Sequence, residues 1–305
     1  MSESVSVRVP AKVNVYLGVG PRQADGFHEL ATVFQSLNVY DEVTVSMAGT
    51  LEIEPLGEWA TIIPTDNTNL AWKAAELVAA AYGVEPNFHI SINKRIPVAA
   101  GLAGGSADGA AALVACDAVL GSALSRVQLD EMASQLGSDV PFMLRGGCAL
   151  GQGRGHLLSP VMTRGSFHWV LATFREGLST AAMYAKLDDQ RRTKDGIDLT
   201  PDPQVPEAVL HALARGDAQL LGAALFNDLQ GPAIATRPAL KSALDFGMDY
   251  GALGCVVSGS GPTCAFLVAD ESKAIDLVIA LMGSGLVDHA LHAHGPVHGA
   301  RVIPR

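Results

Sequence analysis

The run Pro97-Val98-Ala99-Ala100-Gly101-Leu102-Ala103-Gly104-Gly105-Ser106-Ala107-Asp108-Gly109 decides the fold, because it joins a β pattern to a helical one. Phe88–Asn93 before it reads as a strand, and Ser106–Leu120 after it as an alanine-rich helix able to pack close to its neighbours. Glycines at such a junction let backbone N–H groups reach a ligand with no side chain in the way. The helix N-terminus adds unsatisfied donors and partial positive charge, so the place suits a phosphate. Ser106, at the expected N-cap, has a hydroxyl to offer a phosphate or Mg²⁺. The spacing is neither GxGxxG nor GxxxxGK[ST], which removes the dinucleotide and Walker readings. A glycine-rich connector that merely permits tight helix packing is the alternative.

Outward from this run, Val5, Val7 and Val9 alternate with polar residues, and Val13, Val15 and Leu17 continue the alternation past Pro10. Further strands are expected at Glu29–Leu37, Glu42–Met47 and Leu51–Glu54, and helices at Asn69–Tyr82 and Ser125–Leu136. Beyond a new β segment at Phe167–Phe174 lie helical stretches at Thr180–Leu187, Pro206–Arg215, Ala218–Leu225, Pro238–Tyr250 and Ser272–Gly283. Strands are expected between the last of these at Leu253–Val257 and Thr263–Val268, and after them at Val287–His292. Strands and helices without regular βα alternation predict an α+β fold. Three prolines and mixed charge make Thr193–Pro206 an exposed loop. No internal repeat is visible, and a boundary near residue 160 divides the chain into 1–160 and 161–305.

A chain of 305 residues has room for about two domains and can bury a full core. With 49% hydrophobic and 17% charged residues, global disorder is excluded. The net charge of −10 argues against a nucleic-acid partner, which needs a basic face, but not against a small phosphorylated ligand. Cys116, Cys148, Cys255 and Cys264 form no CxxC pair, so neither a zinc site nor a disulfide scaffold is expected. The N-terminus lacks the basic start and apolar block of a signal peptide. The uncharged stretch Tyr250–Ala269 is interrupted by Ser258–Pro262 and reads as two buried strands around a turn. The expectation is a soluble cytoplasmic protein with no membrane partner, a monomer or weak homodimer.

Four shorter segments carry possible chemistry. Val257-Ser258-Gly259-Ser260-Gly261-Pro262-Thr263 is a second glycine cluster, small enough to approach another backbone or bound phosphates, or else an ordinary turn. In Pro10-Ala11-Lys12-Val13-Asn14, Lys12 and Asn14 share one strand face, although a strand lysine is usually solvated. Asp139, in Gly137-Ser138-Asp139-Val140-Pro141-Phe142, is by itself a helix-end or turn residue. Asp25-Gly26-Phe27-His28 sits in a loop and says little alone. His289, His292, His294 and His298 read as a solvated end of chain, not a metal site.

In this order the segments resemble the GHMP kinase superfamily, the small-molecule kinases that include galactokinase and the homoserine and mevalonate kinases. PVAAGLAGGSADGAAAL matches its phosphate-loop motif, PAKVN its N-terminal motif and SGSGPTCAF its C-terminal glycine motif, spanning residues 10 to 266. PAKVNVYLGVG, DGFHEL, GSDVPF and GGCALGQGRG are similar to the branch that phosphorylates the tertiary 2-hydroxyl of a cytidylylated methylerythritol. The resemblance implies an N-terminal domain like the second domain of ribosomal protein S5, a C-terminal ferredoxin-like α/β domain, and a substrate cleft between them. It implies ATP as co-substrate with Mg²⁺, Lys12 and Asp139 as catalytic residues, and Pro97–Ala107 wrapped around the phosphates. Lys94 and Asn69 fall near the nucleotide pocket, Ser106 is the implied metal ligand, and Asn14, Phe27, His28 and Tyr184 fall on the substrate side. One departure is Phe27, where that branch often has tyrosine: the ring stays, the hydroxyl goes. Two alternatives stay open: a mevalonate or homoserine acceptor on the same fold, and a non-catalytic nucleotide-binding protein.

Overall fold

The computed structural model describes residues 4–192, 200 and 202–304; residues 193–199 and 201 of the loop expected over 193–206 lie outside the described residues. The chain opens with two long antiparallel strands, β1 (Val5–Arg22) and β2 (His28–Met47). The sequence pattern pauses at Pro10 and again before Glu42, yet each strand runs straight through. A register shift between Pro10 and Ala11 takes up the proline, which has no N–H to give to a ladder. Strand β3 (Glu52–Gly57), helix α1 (Leu70–Tyr82) and strand β4 (Phe88–Lys94) follow, with β3 and β4 parallel across the helix. After the glycine run come α2 (Gly104–Val119), α3 (Arg126–Leu136) and the short α4 (Val140–Arg145). A hairpin of β5 (Cys148–Gln152) and β6 (Leu157–Pro160) then returns β5 to β2.

The second sheet begins with β7 (Phe167–Thr173). Five helices come next: α5 (Thr180–Arg191), α6 (Glu207–Arg215), α7 (Ala218–Ala223), α8 (Gln230–Thr236) and α9 (Ala239–Asp249). A two-residue strand, β8 (Phe226–Asn227), lies between α7 and α8. The chain continues through β9 (Gly254–Val257), β10 (Cys264–Val268), α10 (Glu271–Ser284), β11 (His289–Gly295) and β12 (Arg301–Val302). The order β11-β7-β10-β9 is fourth-first-third-second, all neighbours antiparallel, which is the ferredoxin-like βαββαβ arrangement. Meanwhile β8 and β12 cross back to pair with β1, so the C-terminal half also completes the first sheet. The class is α+β, as the element pattern predicts.

Val7, Val9, Val13 and Val15 are fully buried beneath α2, whose Ala107, Ala110, Ala111, Ala112 and Ala115 are buried as well. A Cβ on Gly109 would sit 3.0 Å from Leu70 Cβ, so small residues let α1 and α2 touch. Several short elements were not legible: α4 and α8 are too short for a helical period to show, and β5, β6, β8 and β12 too short for a clear alternation. The histidine tail is corrected too. Strand β11 runs on to Gly295, and His292 Nε2 lies 3.1 Å from His168 Nδ1 with the two rings stacked. Leu291 and Ala293 supply the apolar alternation that seats the strand between histidines. Among the described residues no helix is long and apolar enough to cross a membrane.

Candidate active site

The glycine run forms the floor of a cleft of about 880 Å³ between the two sheets. Ala99, Gly101 and Ala103 have φ of 53°, 77° and 60°, while the residues between them do not. Left-handed backbone at every second residue turns successive N–H groups to one side, which makes an anion-binding concavity. Two of these residues are alanines, so the strain of positive φ is carried here and not avoided. Ser106 is not the N-cap: Ala103 is, and α2 starts at Gly104, leaving Ser106 in the first turn. No side chain caps this helix, so its first N–H groups are not spent on a side-chain cap. From Ala99 to Ser106, every residue except Leu102 lines the cleft. Pro97, Leu102 and Ala107 are buried behind it, and Val98 stands outside the lining.

Two residues expected near the nucleotide do not line the cleft. Asn69 is the N-cap of α1: Oδ1 accepts the Ala71 N–H at 2.8 Å and Nδ2 donates to the Pro64 carbonyl at 2.8 Å. Lys94 is buried behind the loop, its ammonium held by Asp41 and Asp108. Burial pushes the Asp108 carboxyl up to about 8, with the Lys94 ammonium pulling the other way.

The second glycine cluster closes over the first. Ser258 Oγ donates to the Gly101 carbonyl at 3.0 Å, and the Thr263 N–H donates to the Ala100 carbonyl at 3.3 Å. A Cβ on Gly101 would lie 2.1 Å from the Ser258 carbonyl oxygen, a contact only glycine permits. Asn227 Nδ2 donates to the carbonyls of Val257 and Gly259, at 2.7 Å each, and pins the cluster to β8.

At the junction stands Lys12, only 4% exposed despite being a strand lysine. Its Nζ donates to Asn14 Oδ1 at 2.5 Å and lies 3.8 Å from Asp139 Oδ2. Asn14 Nδ2 in turn donates to Thr32 Oγ1 at 2.9 Å, and Thr32 to the Tyr16 carbonyl at 2.7 Å, so the lysine's partner cannot turn away. Burial draws the Lys12 ammonium below its ordinary value, and the Asp139 carboxylate acts against that. Asp139 precedes α4 at the N-cap position, yet its carboxylate makes no capping bond. An aspartate placed to cap a helix but turned toward a buried lysine is free to act on a ligand.

The opposite wall is aromatic. His28 stacks on Tyr184, ring centroids 4.9 Å apart, and His28 Nε2 lies 2.7 Å from Asp188 Oδ1. Phe27 is 51% exposed at the mouth, with the Arg154 guanidinium 3.6 Å over its ring. Burial raises the Tyr184 phenol, and the charge of Asp139 adds to the effect. The structure therefore brings together Lys12, Asn14, Phe27, His28, Tyr184, Asp139 and the phosphate loop.

Two family models match the chain: "GHMP kinases N terminal domain" over residues 69–147 and "GHMP kinases C terminal" over 209–281. A Mycolicibacterium gilvum protein, "4-diphosphocytidyl-2-C-methyl-D-erythritol kinase", is 53% identical over 301 residues, covering 99% of this chain and 93% of its own. The chain belongs to the GHMP kinases. The Mycobacterium tuberculosis protein of the same name is 51% identical over 300 residues, 98% of this GHMP kinase and 93% of its own length. A crystal structure of "4-(cytidine 5'-diphospho)-2C-methyl-D-erythritol kinase" superposes with TM-score 0.74 at 32% identity, covering 94% of this chain and 98% of that one. A homoserine kinase from Cytophaga hutchinsonii superposes equally well, TM-score 0.75, at 20% identity over 99% of this chain and 98% of that one, and so speaks for the fold alone.

Some cleft and support residues of this GHMP kinase escaped the sequence reading. Asp188 lies four residues after Tyr184, one turn along α5, a spacing that puts both on His28. Thr32 and Asn227 are buried polar residues that hold others in place, and nothing local distinguishes them. Arg154 sits in the β5–β6 turn, within the GGCALGQGRG segment that carries the resemblance, where nothing local singles out the arginine.

Proposed function

We propose that this protein transfers the γ-phosphoryl group of ATP to the 2-hydroxyl of 4-(cytidine 5'-diphospho)-2-C-methyl-D-erythritol, a step of non-mevalonate isoprenoid precursor synthesis. The observation that carries the reading is the pair Lys12–Asp139, 3.8 Å apart, between the phosphate loop and the aromatic wall. Asp139 takes the proton from the acceptor hydroxyl as the hydroxyl oxygen attacks the γ-phosphorus, whose bond to the bridging oxygen breaks to release ADP. Lys12 orients that hydroxyl and offsets charge on the transferring group. Phosphoryl transfer needs little covalent help, so placement and electrostatics supply most of the rate. The loop over 97–107 takes the ATP phosphates, with Lys94 behind it and Asn69 capping α1, neither lining the cleft. His28, Tyr184 and Phe27 hold the cytosine end, and Asn14 keeps Lys12 in place beside the substrate.

Magnesium fits this donor set. Mg²⁺ favours hard oxygens and is usually held by few protein groups plus substrate phosphates. Ser106 Oγ lines the cleft in the first turn of α2 and would hold it, and the ion would neutralise phosphate charge. Division at residue 160, a cytoplasmic location, a monomeric or weakly dimeric state and the absence of nucleic-acid and membrane partners complete the proposal. The −10 charge supports the exclusion of nucleic acid.

The test is ADP release with Mg-ATP and each of three acceptors: the cytidylylated methylerythritol, mevalonate and homoserine. Turnover with the first alone is expected. Turnover with another acceptor overturns the aromatic-wall assignment, and none with any favours a nucleotide-binding protein without catalysis.

A further inference from the structure

Beneath the phosphate loop, and outside the cleft, three ionisable side chains meet in a buried site. Lys94 Nζ donates to Asp41 Oδ2 at 2.5 Å and to Asp108 Oδ2 at 2.7 Å, with the three side chains 2%, 0% and 4% exposed. Each comes from a different part of the approach to the loop. Lys94 ends β4 and Asp108 lies in the second turn of α2, while Asp41 belongs to the neighbouring strand β2. Asp41 Oδ1 also accepts the N–H groups of Arg95 at 2.6 Å and Ile96 at 2.8 Å, the residues that lead into the loop. The entry and the exit of the loop are thus tied to one ammonium group.

That ammonium sits directly behind the first residue of α2. A Cβ on Gly104 would lie 2.9 Å from Lys94 Nζ and 3.2 Å from Ile96 Cγ2. A cation behind a helix N-terminus opposes the helix dipole, and burying charged groups costs several kcal/mol per ion before their attraction is counted. Apolar residues of the same volume would hold the layer together at least as well. Even within the cluster one oxygen, Asp108 Oδ1, is buried without a hydrogen-bond partner. Packing alone does not account for such an arrangement, whereas fixed distances between β2, β4 and α2 do.

We propose that Lys94, Asp41 and Asp108 are positioning residues that set the height of the phosphate loop, acting through Arg95–Ile96 on one side and Gly104 on the other. The inference rests on the reading that this loop takes the phosphates of ATP. The geometry predicts a nucleotide-side effect only, because none of the three lines the cleft, Phe27 and Tyr184 hang from other elements, and His28 stands at the far end of β2 from Asp41.

The experiment compares wild type, Lys94→Met, Lys94→Arg and Asp108→Ala by KM for each substrate, kcat, the Kd of a non-hydrolysable ATP analogue, and thermal melting. In folded Lys94→Met the analogue Kd and the ATP KM rise at least ~10-fold, within the ~10² that a 1 Å misplacement can cost. The acceptor KM stays within about twofold, since no acceptor contact is touched. Lys94→Arg restores part of the loss, because it keeps the charge between the two carboxylates. Unchanged ATP affinity in a folded variant overturns the proposal, as does a uniform decline of every parameter with melting temperature. If Lys94→Met does not fold, Asp108→Ala decides on the same criteria, since it cuts the tie between Lys94 and α2 and leaves the ammonium paired with Asp41. Failure of the wild type to bind the analogue would overturn the reading of the loop itself, a different result.

Discussion

The two walls of the cleft are built in opposite ways. The phosphate side is one continuous stretch of backbone, Ala99 to Ser106, shaped by positive φ at alternate residues and by a helix start. The aromatic side is a set of side chains from the β1–β2 connection, the β5–β6 turn and α5, which meet only in the folded chain. A phosphate can be held by backbone N–H groups, so its site is written as a local pattern of small residues. A base needs planes and hydrogen bonds from side chains, and these are gathered from wherever the fold brings them. A homoserine kinase shares this fold at 20% identity, so the fold by itself does not choose the acceptor.

Between the walls, Asp139→Asn should have the largest effect. Turnover falls by at least the ~10² typical of a lost general base, while binding of an ATP analogue is kept. Near-normal single-turnover rates would remove Asp139 from the chemistry and leave the contrast between walls without a centre. Gly101→Ala attacks the phosphate side alone. The new methyl group would meet the Ser258 carbonyl in a backbone held at φ 77°, and strain of this kind costs about 1–3 kcal/mol. We expect a lower melting temperature and weaker ATP binding, read by calorimetry, with any bound acceptor still stacking normally.

Tyr184→Ala attacks the aromatic side alone. Loss of the stack on His28 should raise the acceptor KM by up to about tenfold, since an aromatic pair contributes ~0.5–1.5 kcal/mol beyond its burial. An equal rise in the ATP KM would show that the walls are not independent. Arg154→Ala is the mildest test. The guanidinium over Phe27 is at the exposed mouth, where such contacts contribute ~0.5–1 kcal/mol, so a two- to fivefold rise in acceptor KM is expected in steady-state assays.

Much of the fold was legible because burial and period coincide. Val7, Val9, Val13 and Val15 alternate and are buried, and the capping pair Ser125–Gln128 opens α3 close to where the pattern starts. Where the two part company the pattern misleads. Pro10 interrupts the alternation and marks a register shift inside one strand, and Ser106 looks like an N-cap although the left-handed Ala103 holds that place. The family resemblance puts Lys94 near the nucleotide, but two carboxyl groups, fifty-odd residues before it and one turn of α2 beyond the loop, hold it behind the backbone.

The linear chain settled what depends on neighbours a few residues away: the alternation of strands, the helical faces, and the glycine runs whose freedom from side chains makes a phosphate cradle. Contacts between distant segments were left to the tertiary structure. It turned Asp139 from its helix toward Lys12, set Asp188 on His28, laid Arg154 over Phe27 and closed Ser258 onto Gly101. Each of those is one hydrogen bond, ion pair or ring contact across a long loop. Its partner is chosen by how whole sheets pack, and no local pattern in the chain encodes that choice.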